Sequence, residues 1–258
     1  MNKIAIIGYG RFGALLCELL RTDYEIAVVE KNSSRQSQAL ERSLKLIQLE
    51  DIGSFDTVIF AVPISLFESV VVNAAAYISE GCLVMDICSV KVYPANVMQK
   101  HLPQANLIAT HPMFGPDSAS KGMNGLRVAV CPLTADDALT NEVAALWKKL
   151  GTEVIVTTPE EHDRDAVLSQ AFTYSVAKII LGMDLSGVEL TTRSFNNIAE
   201  VAKLSANDSD QLFHDMLFYN PYFQSMKSEL TESMRALTDR LNEIEKEQIE
   251  TGLFTNRG

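Results

Sequence analysis

The first half of the chain alternates short apolar runs with stretches in which apolar residues recur at helical spacing. Eight apolar runs predict strands at residues 3–7, 25–30, 43–49, 56–62, 82–87, 105–110, 127–131 and 152–157. Helical spacing is clearest over residues 11–22, 65–78 and 136–151. Because several strands are apolar at every position, both faces of the sheet must be covered. The pattern therefore predicts an α/β fold built on a parallel sheet.

The pattern changes near Thr157, and no convincing strand follows. Pro159 suits the first turn of a helix, and Glu160 and Glu161 suit its positive end. Helices are predicted from about 159 to 182, from 194 to 204, from about 208 onward, and from 222 to 253. We therefore expect two domains, a sheet domain at residues 1–157 followed by an all-α C-terminal domain at residues 158–258.

The last predicted helix carries one apolar stripe on an otherwise charged surface. Its members are spaced by three and four residues and are Met226, Leu230, Met234, Leu237, Leu241 and Ile244. Such a stripe is typical of a helix that packs in a core or at a subunit interface.

The composition disfavours several classes of partner and site. The 22 lysines and arginines are outnumbered by 33 aspartates and glutamates, so the formal net charge is −11, which disfavours nucleic acids and anionic membranes as partners. The four cysteines form no CxxC pair and no metal-ligand spacing, which favours reduced thiols in a cytoplasmic protein and predicts no metal site. Neither a signal-peptide core nor a run of about 18 apolar residues is found.

A glycine-rich stretch, IAIIGYGRFG, follows the first strand and opens the first helix. Gly8 permits a tight turn, Gly10 lets the backbone approach a pyrophosphate, and Gly13 allows close packing of helix on strand. The helix N-terminus adds free NH groups and the positive end of the helix dipole. This context predicts a Rossmann-type dinucleotide site. The alternative is a glycine-rich turn that binds no dinucleotide.

Glu30 stands at the end of the second strand, 17 residues after Gly13. A carboxylate at this place accepts hydrogen bonds from an adenosine ribose and repels a 2′-phosphate, which favours NAD over NADP. Lys31 and Arg35 lie just beyond Glu30 and keep NADP open.

Several polar residues follow predicted strands at the edge where a parallel sheet binds ligands. Pro63 follows the fourth strand, Asp86, Ser89 and Lys91 follow the fifth, and His111 follows the sixth. These residues offer a hydroxyl, an imidazole, an ammonium and a carboxylate to one crevice. Such convergence predicts a functional site. Asp86 and Lys91 are equally compatible with a structural pair or a helix cap. For His111, the alternative is a histidine that is packed and capped in the structure.

The segments that carry these residues resemble a known family. The motifs are GYGRFG, AVPI, DICSVK, THPMFGPDS with a following NGL, and EEHDR at residues 160–164. They are similar to those of the prephenate and arogenate dehydrogenases. HPMFGP and the run FNNIAEVAKLSANDSDQLFHDMLFYN are most similar to the arogenate dehydrogenases of plants. The resemblance extends over nearly the whole chain and includes no segment for a chorismate mutase or an ACT domain.

The resemblance implies oxidative decarboxylation of prephenate or arogenate, with hydride transfer to NAD(P), in tyrosine biosynthesis. It implies that His111 accepts the proton of the substrate's ring hydroxyl and that Ser89 orients the imidazole and this hydroxyl. It also implies a homodimer that forms through the helical domain. The residues expected to hold the cofactor are Gly8, Tyr9, Gly10, Arg11, Phe12, Gly13, Glu30, Val62 and Pro63.

The resemblance further implies substrate contacts from the helical domain, at Gln170, Tyr174 and Lys203. The chain departs here from the common bacterial pattern, with Tyr174 where many relatives have a histidine and Lys203 where they have an arginine. Lysine keeps the charge and loses the bidentate fork. Arg193 is an alternative to Lys203, because the motif does not fix the register.

The remaining histidines and one cysteine have weaker assignments. His162 and Asp163 lie in EEHDR, and the resemblance places them at the domain junction, although ordinary capping of a helix start fits equally well. Cys88 is expected to pack as a small hydrophobe. His101 and His214 have no motif around them and are expected to be structural or on the surface.

Two alternatives to this function stay open. One is a two-domain dehydrogenase of the β-hydroxyacid type, which relies on a lysine of its helical domain; HPMFGP and D-x-x-S-V-K argue against it. The other is an NAD-binding protein without catalysis, a sensor or dimerisation module, which Tyr174 and Lys203 favour. No residue decides between prephenate and arogenate, which differ in a keto or an amino group of the side chain.

Overall fold

The apolar runs form the strands of a single sheet. In the computed structural model, which describes residues 1–183, 185, 187–206 and 208–252, every predicted strand is present. Four strands are one to three residues shorter than the pattern suggests, the strand predicted at 43–49 has only two residues, and those predicted at 105–110 and 127–131 are each one residue longer. The strands are β1 (Lys3–Ile7), β2 (Glu25–Val29), β3 (Lys45–Leu46), β4 (Thr57–Phe60), β5 (Leu83–Asp86), β6 (Asn106–Pro112), β7 (Arg127–Pro132) and β8 (Glu153–Val156).

The helices of the described residues occupy both the connections of the sheet and the region after it. They are α1 (Arg11–Leu20), α2 (Ser33–Glu41), α3 (Ile64–Ala74), α4 (Val92–His101), α5 (Pro116–Ala119), α6 (Asp137–Lys149), α7 (Pro159–Ala166), α8 (Phe172–Leu181), α9 (Arg193–Ala206), α10 (Asp210–Phe218) and α11 (Phe223–Glu250). A π-helical turn, Val167–Ala171, joins α7 to α8. The predicted fold, an α/β sheet region followed after β8 by helices and no further strands, is thereby confirmed for the described part of the chain.

The sheet has the strand order β3-β2-β1-β4-β5-β6-β7-β8. All neighbouring strands are parallel except β6 and β7, which are antiparallel, so the prediction of a parallel sheet holds for all but this pair. Residues 113–126 connect these two strands and contain only the four-residue helix α5. The connection therefore lies at the carboxyl edge of β6, the edge at which parallel sheets bind ligands.

Two apolar clusters cover the two faces of the sheet. Phe60, Phe67 and Met98 belong to one cluster, which joins β4 to α3 and α4. Leu16 and Trp147 belong to the other, which joins the sheet to α1 and α6. Burial of both faces explains why the central strands are apolar throughout.

Two buried aspartates from the helices after β8 cap helices that follow strands of the sheet. Asp215 of α10 accepts a hydrogen bond from the backbone NH of Ser65, at the start of α3, at 3.0 Å. Asp163 of α7 accepts from the NH groups of Lys91 and Val92, at the start of α4, at 2.6 and 2.9 Å. Carboxylates at helix N-termini satisfy free NH groups and interact favourably with the helix dipole.

These contacts place α7–α10 in the same compact unit as the sheet. The chain divides into two compact units, Met1–Asn220 and Pro221–Gly258. A domain boundary near residue 157 stays a prediction. No described helix combines the length and apolar character that a bilayer-spanning segment needs.

The second unit contains the long helix α11. The members of its apolar stripe from Met234 onward, which include Leu237, Leu241 and Ile244, are exposed. This exposure argues against a place for that part of the stripe in a core of the same chain.

We expect Asp215→Ala to lower the free energy of unfolding by about 1–3 kcal/mol, because the NH of Ser65 loses its acceptor. Urea denaturation followed by circular dichroism measures this change. The matched control is Asp210→Ala in the same helix, where an exposed carboxylate pairs with Lys178. We expect the control to stay within about 0.5 kcal/mol of the wild type. Equal effects of the two variants would contradict the capping role.

Candidate active site

The glycine-rich turn after β1 has the shape of a dinucleotide-binding turn. A Cβ on Gly8, whose φ is +105°, would lie 2.4 Å from the backbone oxygen of Ala61, and one on Gly13 would lie 2.2 Å from the oxygen of Gly8. A Cβ on Gly10 would meet nothing within 4 Å. Gly8 and Gly13 are thus required by internal packing, whereas Gly10 faces open space that a pyrophosphate fits.

Glu30 lies next to this turn. Its Oε2 accepts from the NH of Tyr9 at 2.8 Å, and its Oε1 accepts from the NH groups of Lys31 and Asn32, each at 2.8 Å. The guanidinium of Arg35 is 3.9 Å from the same carboxylate. The structure therefore holds Glu30 at the end of β2, where an adenosine ribose would lie.

The other predicted cofactor residues are distributed around the turn. The side chain of Tyr9 is 3% exposed and packs in the core beneath α1, so its main chain is the part that faces the turn. Val62 lies beside Gly8, and Pro63 directly precedes α3. The ring of Phe12 contacts that of Phe114, with 5.8 Å between the ring centroids.

A fully buried ion pair joins the end of β5 to β6. The Nζ of Lys91 donates to the carboxylate of Asp86 and, at 2.6 Å, to the backbone oxygen of Thr110. The NH of Thr110 donates back to Oδ1 of Asp86 at 3.2 Å. Asp86 and Lys91 are therefore a structural pair that fixes the residue directly before His111.

His111 is the start of a chain of hydrogen bonds that runs inward. Although predicted to follow a strand, His111 belongs to β6 and is 3% exposed. Its Nδ1 is 2.8 Å from Nε2 of His162, and Nδ1 of His162 is 2.8 Å from Oδ1 of Asp163. Because a carboxylate only accepts, Nδ1 of His162 carries the proton of the bond with Asp163, and in a ring with one proton Nε2 is then the acceptor.

This assignment fixes the tautomer of His111. Nε2 of His162 is then an acceptor, so Nδ1 of His111 carries a proton and donates it. The lone pair of His111 remains on Nε2, which has no hydrogen-bond partner among the described residues. Burial lowers the pKa of His111 well below its usual value, and the nearby His162 and Lys91 lower it further. His111 is therefore a neutral imidazole whose Nε2 can accept a proton.

Two buried polar atoms near these elements lack partners within the described part of the chain. One is Oγ of Ser89, which lies in the loop between β5 and α4, and the other is Oε1 of Gln170 in the π-helical turn. Buried polar groups in native proteins are nearly always hydrogen-bonded, so such atoms point to a ligand.

A cavity of about 260 Å³ opens between the loop after β6 and a wall formed by the π-helical turn, α8, α9 and the segment before α10. Residues that line it are Met113, Phe114, Gly115, Asp117, Ser118, Ser169, Gln170, Thr173, Tyr174, Val201 and Asp208. The structure thus brings Gln170 and Tyr174 together with the motif HPMFGPDS. Lys203 and Arg193 are both exposed, and neither lines this cavity.

One side of the cavity carries two carboxylates, Asp117 and Asp208, which we name the carboxylate corner. The hydroxyl of Tyr174 donates to Oδ2 of Asp208. Burial and this hydrogen bond raise the pKa of Tyr174, so the phenol keeps its proton. Nη2 of Arg11 donates to both oxygens of Asp117, at 2.9 and 2.8 Å, and Nη1 lies 3.6 Å from Oδ1 of Asp208.

Comparisons with known proteins agree with these features. Residues 19–156 match the model of the prephenate dehydrogenase nucleotide-binding domain, and residues 179–253 match that of a TYRAAT1-like C-terminal domain. The first match covers more than half of the chain. The chain belongs to the prephenate dehydrogenase family.

Among curated relatives, arogenate dehydrogenase 1 of Arabidopsis thaliana is 25% identical over 88% of this chain. A probable arogenate/prephenate dehydrogenase of Methanocaldococcus jannaschii is 28% identical over 74% of it. This family member spans only 39% and 45% of the lengths of those two relatives, respectively.

Solved structures of the family share the fold. Prephenate dehydrogenase of A. aeolicus, in complex with hydroxyphenyl propionate and NAD+, superimposes with a TM-score of 0.75 at 18% identity, covering 97% of this chain and 94% of that one. Arogenate dehydrogenase of Synechocystis gives 0.68 at 20% identity, covering 95% and 93%. At these identities the likeness concerns the fold alone.

Several residues of the site have roles that sequence reasoning did not assign. The contacts of His162 and Asp163 required knowledge of tertiary structure, although EEHDR drew attention to both. Asp117 lies in THPMFGPDS and Asp208 in the run that begins FNNIAEVAK, and neither motif indicates that the two carboxylates share one guanidinium. Within the described residues, no group of three or more histidines, cysteines, aspartates or glutamates is placed to hold a metal ion.

Alanine substitutions in the glycine-rich turn should separate folding from cofactor binding. We expect Gly8→Ala and Gly13→Ala to destabilise the protein by more than about 1 kcal/mol, because each Cβ meets backbone. Gly10→Ala should leave the melting temperature unchanged and weaken NAD binding by roughly tenfold. Thermal unfolding and calorimetric titration with NAD measure the two effects. Unchanged NAD affinity in Gly10→Ala would contradict the assignment of this turn.

Proposed function

We propose that this protein catalyses the NAD-dependent oxidative decarboxylation of arogenate or prephenate in tyrosine biosynthesis. The observation that carries the proposal is the chain His111–His162–Asp163, which leaves a neutral, buried imidazole with an available Nε2 in a protein that also has a dinucleotide-type turn. A bound nicotinamide would supply the hydride acceptor. Arg35 beside Glu30 keeps NADP possible as an alternative cofactor.

The catalytic step assigned to this chain is a proton transfer. Nε2 of His111 accepts the proton of the ring hydroxyl, and the positive charge that develops on the imidazole is stabilised through His162 by the carboxylate of Asp163. Ser89 orients the hydroxyl or the imidazole through its otherwise unpartnered Oγ. Loss of the ring carboxylate as CO₂ makes the ring aromatic, so the reaction is irreversible.

The cofactor site is proposed at the glycine-rich turn. The NH groups at the start of α1 face the pyrophosphate, Gly10 leaves room for it, and Glu30 accepts from the adenosine ribose. The proposed cofactor residues are Gly8, Tyr9 through its main chain, Gly10, Arg11, Phe12, Gly13, Glu30, Val62 and Pro63.

The substrate is proposed to bind in the cavity lined by Gln170 and Tyr174. No lysine, arginine or histidine is among the described residues that line this cavity, whereas two carboxylates are. An ammonium group is therefore better matched than a keto group, which favours arogenate over prephenate. Lys203 would have to move from its exposed position to contact the substrate.

The assembly and location of the protein are also proposals. We propose a homodimer formed through the helical part of the chain, supported by the exposed apolar stripe of α11. A cytoplasmic location is supported by four free cysteines, and binding of nucleic acid or membrane is disfavoured by the net charge of −11. A boundary between sheet and helical domains near residue 157 is retained as a proposal.

Neither alternative function is favoured by the geometry. A dehydrogenase of the β-hydroxyacid type needs a lysine in its site, and Lys203 is exposed and outside the cavity. A binding protein without catalysis would not require the buried chain that leads from His111 to Asp163.

We expect the wild type to reduce NAD in the presence of arogenate, and more slowly with prephenate. His111→Asn should lower kcat by about 10²–10⁴, because the proton acceptor is lost. NADH absorbance measures turnover with each substrate and each of NAD and NADP, and calorimetry checks that the variant still binds NAD. The matched control is His101→Asn. His101 is partly exposed and pairs with Glu68, so this variant should keep full activity. Absence of turnover with every combination would refute the proposed reaction.

The pH profile of kcat/KM should reflect the lowered pKa of His111. Only the neutral imidazole accepts a proton, and burial favours the neutral form. Activity should therefore persist as the pH falls through 6.5, the ordinary value for histidine, and decline only at more acidic pH. A profile of kcat/KM against pH measures this for the free enzyme. An acidic limb with its midpoint at or above 6.5 would contradict the assignment of His111 as a buried neutral base.

A further inference from the structure

Arg11 belongs to the proposed cofactor turn through its backbone, and its side chain contacts two residues that line the substrate cavity, Asp117 and Asp208. It is the first residue of α1 and directly follows Gly10. Its guanidinium extends to the carboxylate corner, with two hydrogen bonds to Asp117 and an ion pair to Asp208. One side chain thus connects the two sites that the proposed reaction must fill together.

The formal charges at this place do not balance. Among the described residues, one guanidinium faces two carboxylates, so the cluster of Arg11, Asp117 and Asp208 carries a formal charge of −1, and Tyr174 adds a neutral hydrogen bond to Asp208. A pyrophosphate at the N-terminus of α1 would add two negative charges beside Arg11.

We propose that Arg11 couples cofactor binding to the binding of an ammonium-bearing substrate at the carboxylate corner. This inference rests on the proposed function, since it assumes that a dinucleotide binds at the turn and arogenate in the cavity. It adds that the two bind cooperatively, and that one residue of the cofactor turn carries the effect.

The sign of the coupling follows from the charges. If Arg11 turns towards a pyrophosphate, its charge is withdrawn from Asp117 and Asp208, and a substrate ammonium replaces it. The dinucleotide then strengthens binding of an ammonium, and by linkage the ammonium strengthens binding of the dinucleotide by the same factor. A ligand without an ammonium group cannot pair with the two carboxylates, so the dinucleotide should not strengthen its binding in this way.

The test is a thermodynamic cycle measured by calorimetry. The dissociation constant of NAD is determined alone, with saturating L-tyrosine, and with saturating 3-(4-hydroxyphenyl)propionate, which has the same ring and no ammonium. For the wild type we expect tyrosine to tighten NAD binding about fivefold or more, the usual range for coupled sites, and the propionate to change it little. In Arg11→Gln both factors should be close to one, and Arg11→Lys should retain part of the effect.

A second readout separates coupling from a merely structural role. Without NAD, Arg11→Gln should bind tyrosine more tightly than the wild type does, because both carboxylates then lack their cation. The matched control is Arg127→Gln, which removes an exposed guanidinium paired with Glu153 and should leave both measurements unchanged. Arg11 is half exposed, so its substitution is expected to leave folding intact, and thermal unfolding checks this.

The possible failures are distinguishable. Equal enhancement by tyrosine in the wild type and in Arg11→Gln would overturn the role of Arg11 and leave the proposed function standing. Equal enhancement by tyrosine and by the propionate would overturn the ammonium as the coupled group. A wild type that binds NAD but not tyrosine, with or without NAD, would overturn both this inference and the preference for arogenate.

Discussion

The carboxylate of Asp163 accepts hydrogen bonds from three groups, and the arrangement of the site depends on them. Two are backbone NH groups at the start of α4, and the third is Nδ1 of His162. A single buried side chain thus fixes a helix beside the sheet and orients the imidazole that contacts His111. Because both ring positions of His162 are engaged, the tautomer of His111 follows from Asp163, two residues away along the chain of hydrogen bonds. The aspartate is at once a cap and the inner end of the proposed catalytic chain.

Burial of charge gives the site its chemical character. Asp86 and Lys91 are fully enclosed, and desolvation of such groups is costly unless each is paired and hydrogen-bonded. Here the pair is completed by contacts with Thr110, so its members tie the loop after β5 to the strand that carries His111. The positive charge of Lys91 near the imidazole also lowers the pKa of His111. The elements that stabilise this edge of the sheet therefore also keep the proposed base neutral.

Local sequence patterns predicted those parts of the molecule that depend on local constraints. The pattern predicts the tight turn at Gly8 and Gly13 because each has a steric reason that the pattern itself encodes, whereas the role of Gly10 towards a pyrophosphate stays a prediction. Helix α2 was missed, since SSRQSQALE buries only Ala39 and so has no apolar period. The contact between His111 and His162 joins residues 51 positions apart, and no local pattern contains it. Lys203 was aligned by register alone, and the structure leaves it exposed, outside the cavity that contains Gln170 and Tyr174.

The departures from the common bacterial pattern have a consistent electrostatic consequence. A tyrosine at position 174 offers a hydroxyl that hydrogen-bonds Asp208, and neither lysine nor arginine lines the cavity among the described residues. Among the described residues, the positive charge that contacts the carboxylate corner comes from Arg11, on the element that would bind the cofactor. A cation supplied from that side can respond to the cofactor, whereas one fixed in the helical part would not. In the proposed coupling, recognition of the substrate's charge is therefore linked to the state of the glycine-rich turn, and the two proposed sites act as one electrostatic unit.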